Sequence, residues 1–418
     1  MHYKIAMGTK IRWRLLILAP VFAGSVAVLL PACGGRTGLV TIRDGGSDTG
    51  GGSDTGGPAG CTKLVVSGTT LLGEAGRSAG RPVIVFDGEQ FGVAWYASEP
   101  SSISLETLRF TRVSVAGKAD APAGHLIGKT HIGPGPGLVA DGSAGYAATV
   151  LHEHDGRLAM FRFDRSGRVL LGPQYISDRF PDGMHLSIRP EGGQAVLFAQ
   201  HPGPYDSLNF AALDGAGRLK TTIVESRNRY YDPWIVPRKG GGYAATYAGT
   251  YAYFQLLQPD GTKQSFAEVT SFEKLHGAYY ASAGGSRYGM VYFPSGTSGT
   301  SGTVTAWFKA LDSKGKQAGT PRQLFTAPTD AAYNTAILWA GKAYAVAYGT
   351  ERAGEKITLS MVGADGTPGG GPTPIPNCLA SARNPSLAWG AETLAVAYLA
   401  LTAGETSARP CVVRLRCQ

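Results

Sequence analysis

The sequence predicts an all-β fold for residues 61–418, and three observations carry the prediction. A pattern of short apolar strand, Gly-containing turn and second apolar strand recurs seven times, at a period of roughly 45 to 56 residues. Asp/Gly turns follow the third strands in phase, and both residues tolerate the positive φ that tight hairpins need. No stretch of these residues has the 3.6-residue apolar period of an amphipathic helix.

Residues 1–32 form the first element. Lys4, Lys10, Arg12 and Arg14 precede the apolar run Leu15 to Ala32, the order of a charged and then a hydrophobic region in an export signal. The run is also near the lower limit for a spanning helix. Leu30-Pro31-Ala32-Cys33 has a branched apolar residue three before the cysteine and a small residue before it, and so resembles the lipobox of bacterial lipoproteins. The resemblance implies that the Cys33 sulfur takes a diacylglycerol, that the chain is cut before Cys33 and that the new amine is often acylated, a palmitate-type modification. Two or three acyl chains anchor stably where one is marginal. Gly34 stands where enteric inner-membrane lipoproteins carry Asp, so the resemblance points to a lipid-anchored protein of the bacterial cell envelope, at the outer membrane.

Loss of residues 1–32 removes four basic residues and no acid, taking the formal charge from +9 to +5. No Lys/Arg cluster stands out in the rest, which argues against nucleic acid as a partner. Residues 33–60 are the lipid-bearing cysteine and a Gly/Ser/Asp/Thr linker with the near-repeat Ser47-Asp48-Thr49-Gly50-Gly51 and Ser53-Asp54-Thr55-Gly56-Gly57. Such a segment cannot bury enough apolar surface to fold. As a flexible coil it reaches on the order of 30 Å. Asp44, Asp48 and Asp54 match no calcium-loop spacing, and the segment reads as a solvated tether.

Cys61 to Val66 is an orphan strand, after which the repeated units begin at Pro82, Pro136, His185, Pro233, Ala278, Thr335 and Asn384. Two clear copies are Thr335 to Trp339 leading to Tyr344 to Tyr348, and Asn384 to Trp389 leading to Leu394 to Tyr398. Phe91, Tyr146, Gln194, Tyr243, Tyr288, Tyr344 and Leu394 are equivalent at the start of the second strands. Seven four-stranded units of this length resemble a seven-bladed β-propeller, in which radial repetition leaves short protected edges. Two stacked sandwiches would not require such regular phasing. The last unit stops at the end of its third strand, so the orphan N-terminal strand is expected to complete the last blade.

With Cys33 lipidated, four cysteines remain and allow three pairings, and export makes disulfides their expected fate. Cys411 and Cys417 lie six residues apart on one strand, about 20 Å, too far to join. If the ring closes as expected, Cys61 sits beside Cys417 and Cys378 near Cys411, giving the pairs Cys61–Cys417 and Cys378–Cys411. A zinc site from the four thiolates lacks the tight CxxC spacing.

In a propeller, the loops that lead into each first strand share one face with the mouth of the axial channel. The expected ligand-binding residues are therefore Arg81, Asp232, Asn334 and Asn384, immediately before first strands, with His131, Asp182, Tyr230, Tyr231, His276 and Arg383 nearby. This mixed polar and aromatic set suits sugar or peptide, and it is also ordinary loop chemistry. His152-Glu153-His154-Asp155 ends a second strand with two His on one side, but no third ligand can be named, and no metal or cofactor is expected. Nucleophile-elbow, phosphate-loop and sialidase-type signatures are missing. Asp182, Asp232, Glu225 and Glu273 are the acids from which paired carboxylates could be drawn. The reading that results is a monomeric binding or scaffolding module for a protein or glycan partner. A carbohydrate-active or other hydrolytic enzyme is the alternative.

Overall fold

The computed structural model describes residues 64–98, 105–131, 135–142, 145–179, 181–189, 193–200, 207–214, 218–226, 231–238, 241–248, 252–270, 275–283, 287–294, 302–350, 354, 356–402 and 407–417. The export signal, Cys33 and the linker lie outside them, as do Cys61 and Tyr230. The described residues form seven four-stranded antiparallel sheets. Blade 1 is β2 (Val83–Phe86), β3 (Gln90–Ser98), β4 (Leu105–Ser114) and β5 (His125–His131), following β1 (Leu64–Leu71). Blade 2 is β6 (Gly137–Ala140), β7 (Tyr146–Leu151), β8 (Leu158–Phe163) and β9 (Val169–Tyr175). Blade 3 is β10 (Pro181–Ile188), β11 (Gln194–Gln200), β12 (Ser207–Leu213) and β13 (Leu219–Glu225). Blade 4 is β14 (Tyr231–Pro237), β15 (Tyr243–Ala248), β16 (Ala252–Leu257) and β17 (Lys263–Thr270). Blade 5 is β18 (Leu275–Ala283), β19 (Arg287–Pro294), β20 (Thr303–Leu311) and β21 (Arg322–Pro328). Blade 6 is β22 (Thr335–Trp339), β23 (Ala343–Tyr348), β24 (Thr358–Gly363) and the two-residue β25 (Thr373–Pro374). Blade 7 has β26 (Ser381–Gly390), β27 (Thr393–Leu401) and β28 (Ala408–Cys417), with β1 as its outermost strand.

The first strands touch in one cycle, β2 to β6, β10, β14, β18, β22, β26 and back to β2, which closes the seven blades around an axis. Each blade is covered on both faces by its neighbours. Strands such as β7 and β11 are therefore buried along their whole length and read as continuous apolar runs instead of alternating ones.

One contact repeats between blades. A third-strand Phe packs against the second-strand Tyr of the next blade: Phe110 on Tyr146 at 4.6 Å between centroids, Phe210 on Tyr243 at 5.3 Å, Phe254 on Tyr288 at 5.1 Å and Phe308 on Tyr344 at 5.3 Å. Such tilted and edge contacts add to the area that the rings bury. The Asp/Gly hairpin of the next blade covers the same ring. Gly315 has φ +79, and a Cβ there would lie 2.1 Å from Phe254 Cδ1, so this turn needs glycine for both conformation and space. The recurring Tyr and the recurring turn in the sequence thus belong to one packing unit.

Ring closure occurs as expected. β1 runs antiparallel to β28, from Leu64 opposite Cys417 to Leu71 opposite Cys411. Arg409 donates to the carbonyls of Leu72 at 3.1 Å and Gly73 at 2.8 Å, pinning the step from β1 into blade 1. Cys378 and Cys411 are disulfide-bonded, with Cα atoms 6.2 Å apart. Beside them the buried Tyr398 hydroxyl donates to Pro376 O and accepts from Cys378 N. The residue opposite Cys417 in this register is Leu64, three positions after Cys61. The bond expected of Cys61 lies outside the described residues.

Candidate functional site

The face on which the first strands begin carries the mouth of the axis. The starts of these strands are irregular. The ladder breaks at Asp182 in β10, at Asp232-Pro233 in β14, at His276 in β18 and at Asn384-Pro385 in β26. A bulge re-aims side chains that regular pairing would send between the blades. In blades 1 and 2 the entry is Arg81-Pro82 and Gly135-Pro136, whose prolines have no N–H to leave unmet. In blade 6 a 3-10 turn, Thr329–Tyr333, delivers Asn334.

The entries of blades 1, 2, 4, 6 and 7 line a small solvent-open pocket, with Arg81, Gly135, Trp234, Asn334 and Asn384 in its wall. Three expected site residues, Arg81, Asn334 and Asn384, are therefore brought together from blades 1, 6 and 7. Asn334 is held rigidly: its Nδ2 donates to Asp330 O at 3.0 Å, its N–H to Ala331 O at 3.0 Å, and its carbonyl accepts from Gly349 N at 2.8 Å. Asn384 sits at φ +54, in the left-handed region, and its buried Oδ1 has no hydrogen-bond partner. Next to it, the Nε of Arg383 also has none.

Trp234 and His185 were not foreseen from the sequence. Trp234 is 6 % exposed, and its ring stacks on fully buried His185 at 4.0 Å and 29°. His185 Nδ1 accepts the Ile235 N–H at 3.2 Å, which leaves the ring proton on Nε2. Burial pushes this imidazole down to about 3, so it is neutral. His185 Nε2 and Trp234 Nε1 are both donors without a protein partner. A lone His inside an apolar first strand, one blade before a Trp just after Asp-Pro, was the available signal.

Other expectations fall elsewhere. His131 is the last residue of β5, the outermost strand of blade 1, so it stands at the rim of the mouth face and not at the axis. The phase of the repeat placed it on the right face but could not give its radius. Asp182, Tyr231, Asp232 and His276 begin first strands, as the repeat predicts, and their side chains lie outside the description. Among the described residues of the cavity wall, Arg81 is the charged one and none is a carboxylate. Glu225, offered as one of a catalytic pair, lies on outermost strand β13 and forms an ion pair with Lys263. Glu273 is outside the described residues. His152, His154 and Asp155 occupy the β7–β8 turn, where His152 meets the Tyr175 hydroxyl at 3.2 Å. Among the described residues no three His, Cys, Asp or Glu side chains converge to hold a metal ion.

No protein-family model matches the chain, and no curated protein matches it in sequence. Solved structures similar to it include the α-L-arabinanase of Penicillium chrysogenum in complex with arabinobiose, with TM-score 0.50 and 14 % identity over 84 % of this chain and 98 % of that one. The polysaccharide lyase Uly1 is similar with TM-score 0.50 and 10 % identity over 80 % and 89 %. At such identities the likeness shows the fold alone. The chain is a seven-bladed β-propeller whose last blade is completed by its N-terminal strand.

Proposed function

We propose that this protein is a lipoprotein of the bacterial cell envelope, held at the outer membrane by acyl chains on Cys33, whose propeller binds a glycan at the axial mouth without catalysis. One observation carries the ligand class. Around the cavity the protein holds an unmet acceptor, Asn384 Oδ1, and an unmet donor, Trp234 Nε1. Unpartnered buried polar atoms also occur in the core of this protein, as at the Tyr344 hydroxyl, but these two belong to residues of the cavity wall, where a ligand can complete them. A hydroxyl group both donates and accepts, and a glycan presents many. The left-handed Asn384 supports the same reading, because backbone strain collects at ligand sites.

The test uses the mature chain purified from bacterial membranes, screened against an array of envelope and extracellular polysaccharide fragments. Saturable binding that weakens about tenfold in Asn384→Ala and in Trp234→Phe is expected, the loss of one hydrogen bond each. No binding to any glycan refutes the reading. Release of new reducing ends from a bound glycan would replace it with the hydrolytic alternative. Intact mass of wild type and Cys33→Ala checks the anchor: a lipid-sized increment is expected in the first and not in the second.

A further inference from the structure

The outer edges of the blades are not alike. Among the described residues, the large apolar side chains left exposed lie on the outermost strands of four consecutive blades. They are Val66 on β1, Leu126 on β5, Val169 to Leu171 on β9, and Leu219 and Ile223 on β13. Leu170, Leu126 and Ile223 are 51 %, 53 % and 66 % exposed. On the other side of the disc the described side chains exposed at the rim include Lys263 and Gln264 on β17, Arg322 and Gln323 on β21, and Thr373 and Pro374 on β25.

The registers also fix height. Val66 stands opposite Leu415, Val169 opposite Phe163 and Leu219 opposite Leu213, all at the ends of third strands farthest from the mouth. Leu126 pairs with Arg109 at mid-height, and Ile223 lies higher, opposite Asn209. Leu64, where the linker enters the fold, is opposite Cys417 on this same lower edge.

We propose that the lower rim of blades 7, 1, 2 and 3 rests on the bilayer that holds the tether, so that the axial mouth points away from the lipid. The proposal rests on the reading of Cys33 as the lipid-bearing residue. The occupant follows from where the chain outside the fold arrives. A linker reaching on the order of 30 Å delivers the apolar edge to the membrane surface at an effective concentration on the order of millimolar. Contacts too weak to hold a free protein then suffice. A second copy fits less well. The register of β9 breaks twice against β8 and Pro173 has no N–H, so this edge is a poor template for another strand. Some nearby charges are paired, Arg168 with Asp164 at 3.2 Å, Arg218 with Asp214 at 2.7 Å and Lys220 with Asp260 at 3.3 Å, while Lys129 and Arg416 are exposed on the same rim. The apolar part of the contact is not released by added salt, which screens the part from Lys129 and Arg416 alone.

The test places an indole on each side of the disc, Leu170→Trp and Gln323→Trp, in the full chain purified with its lipid. Each variant is reconstituted into vesicles of phosphatidylethanolamine and phosphatidylglycerol with brominated acyl chains, and the wild-type emission is subtracted. Expected is loss of the added emission at position 170, its retention at 323, and flotation of the protein with the vesicles. Flotation with the emission at 170 retained overturns the docking while the anchor stands. Failure to float removes the anchor and the docking with it. A blue-shifted, unquenched indole at 170 in a protein that has become a dimer shows a second copy on the rim, which also overturns the proposal.

Discussion

Tyr146→Phe and Tyr344→Phe are the same substitution at equivalent positions of blades 2 and 6, yet they are expected to move stability in opposite directions. Both rings are buried and both pack on a third-strand Phe, at 4.6 and 5.3 Å, so the ring contribution cancels in the comparison. The hydroxyls differ. That of Tyr146 donates to Asp87 Oδ2 at 2.6 Å, and Asp87 also pairs with Arg112 at 2.9 Å. Burial pushes the Asp87 carboxyl up, but the Tyr146 hydroxyl, the N–H groups of Gln90 and Glu89 and the Arg112 charge outweigh it and hold it below its ordinary value. Losing a hydrogen bond to a buried charge costs about 1.5–3 kcal/mol. The Tyr344 hydroxyl is buried without a partner, so its removal gains up to about 1 kcal/mol. Because a lowered carboxyl stabilises the fold above its unfolded pKa and loses that effect as pH falls through the folded value, the Tyr146→Phe penalty shrinks in acid. Guanidinium unfolding followed by tryptophan fluorescence reads both effects as midpoints on either side of wild type. Two shifts of the same sign, or the reverse order, would refute the assignment of these hydroxyls.

Asn384→Gly relieves the φ +54 conformation and is expected to raise stability by up to about 1 kcal/mol while weakening glycan binding; thermal melts and a binding isotherm on one preparation separate the two. Replacing Cys378 and Cys411 by Ala opens a link of sequence separation 33 and is expected to cost about 3–4 kcal/mol on the chain-entropy account, read as a lowered guanidinium midpoint. His185 has its folded pKa lowered to about 3. Between that value and about 6.5 the unfolded chain therefore binds the extra proton, and stability falls as pH falls. At pH 4 this amounts to on the order of 3 kcal/mol, and a His185→Phe variant, which keeps the stack on Trp234, is expected to show a correspondingly shallower acid loss in pH-dependent melts.

Much of the architecture was legible because its physics is local and repeated. Strand, Gly turn, strand and Asp/Gly hairpin recur along the chain, so the phase of Tyr344 or Leu394 also gave the positions of Asn334 and Asn384 ahead of the first strands. The same phase placed Cys378 beside Cys411. What escaped depends on radius and on register. His131 shares a face with Arg81, but sequence spacing does not say that it ends an outermost strand. The register of β1 on β28, with Leu64 opposite Cys417, is likewise not written in the spacing of the repeat. Nothing in the spacing of Trp234 and His185 separates them from core residues, since apolar and aromatic side chains in a first strand are usually core. Only the three-dimensional stack reveals that their nitrogens are left unmet.

The strand that closes blade 7 is made first and placed last. A chain emerging from its N-terminus presents β1 well before residues 408–417 exist to pair with it, and Ser67 meets Arg414 across a separation of 347 residues. Until then six blades can assemble, each from neighbouring segments, while the ring stays open at one seam. Completion of the fold therefore depends on the last ten described residues: a polypeptide truncated before Ala408 leaves β1 without its partner and the ring open at its seam.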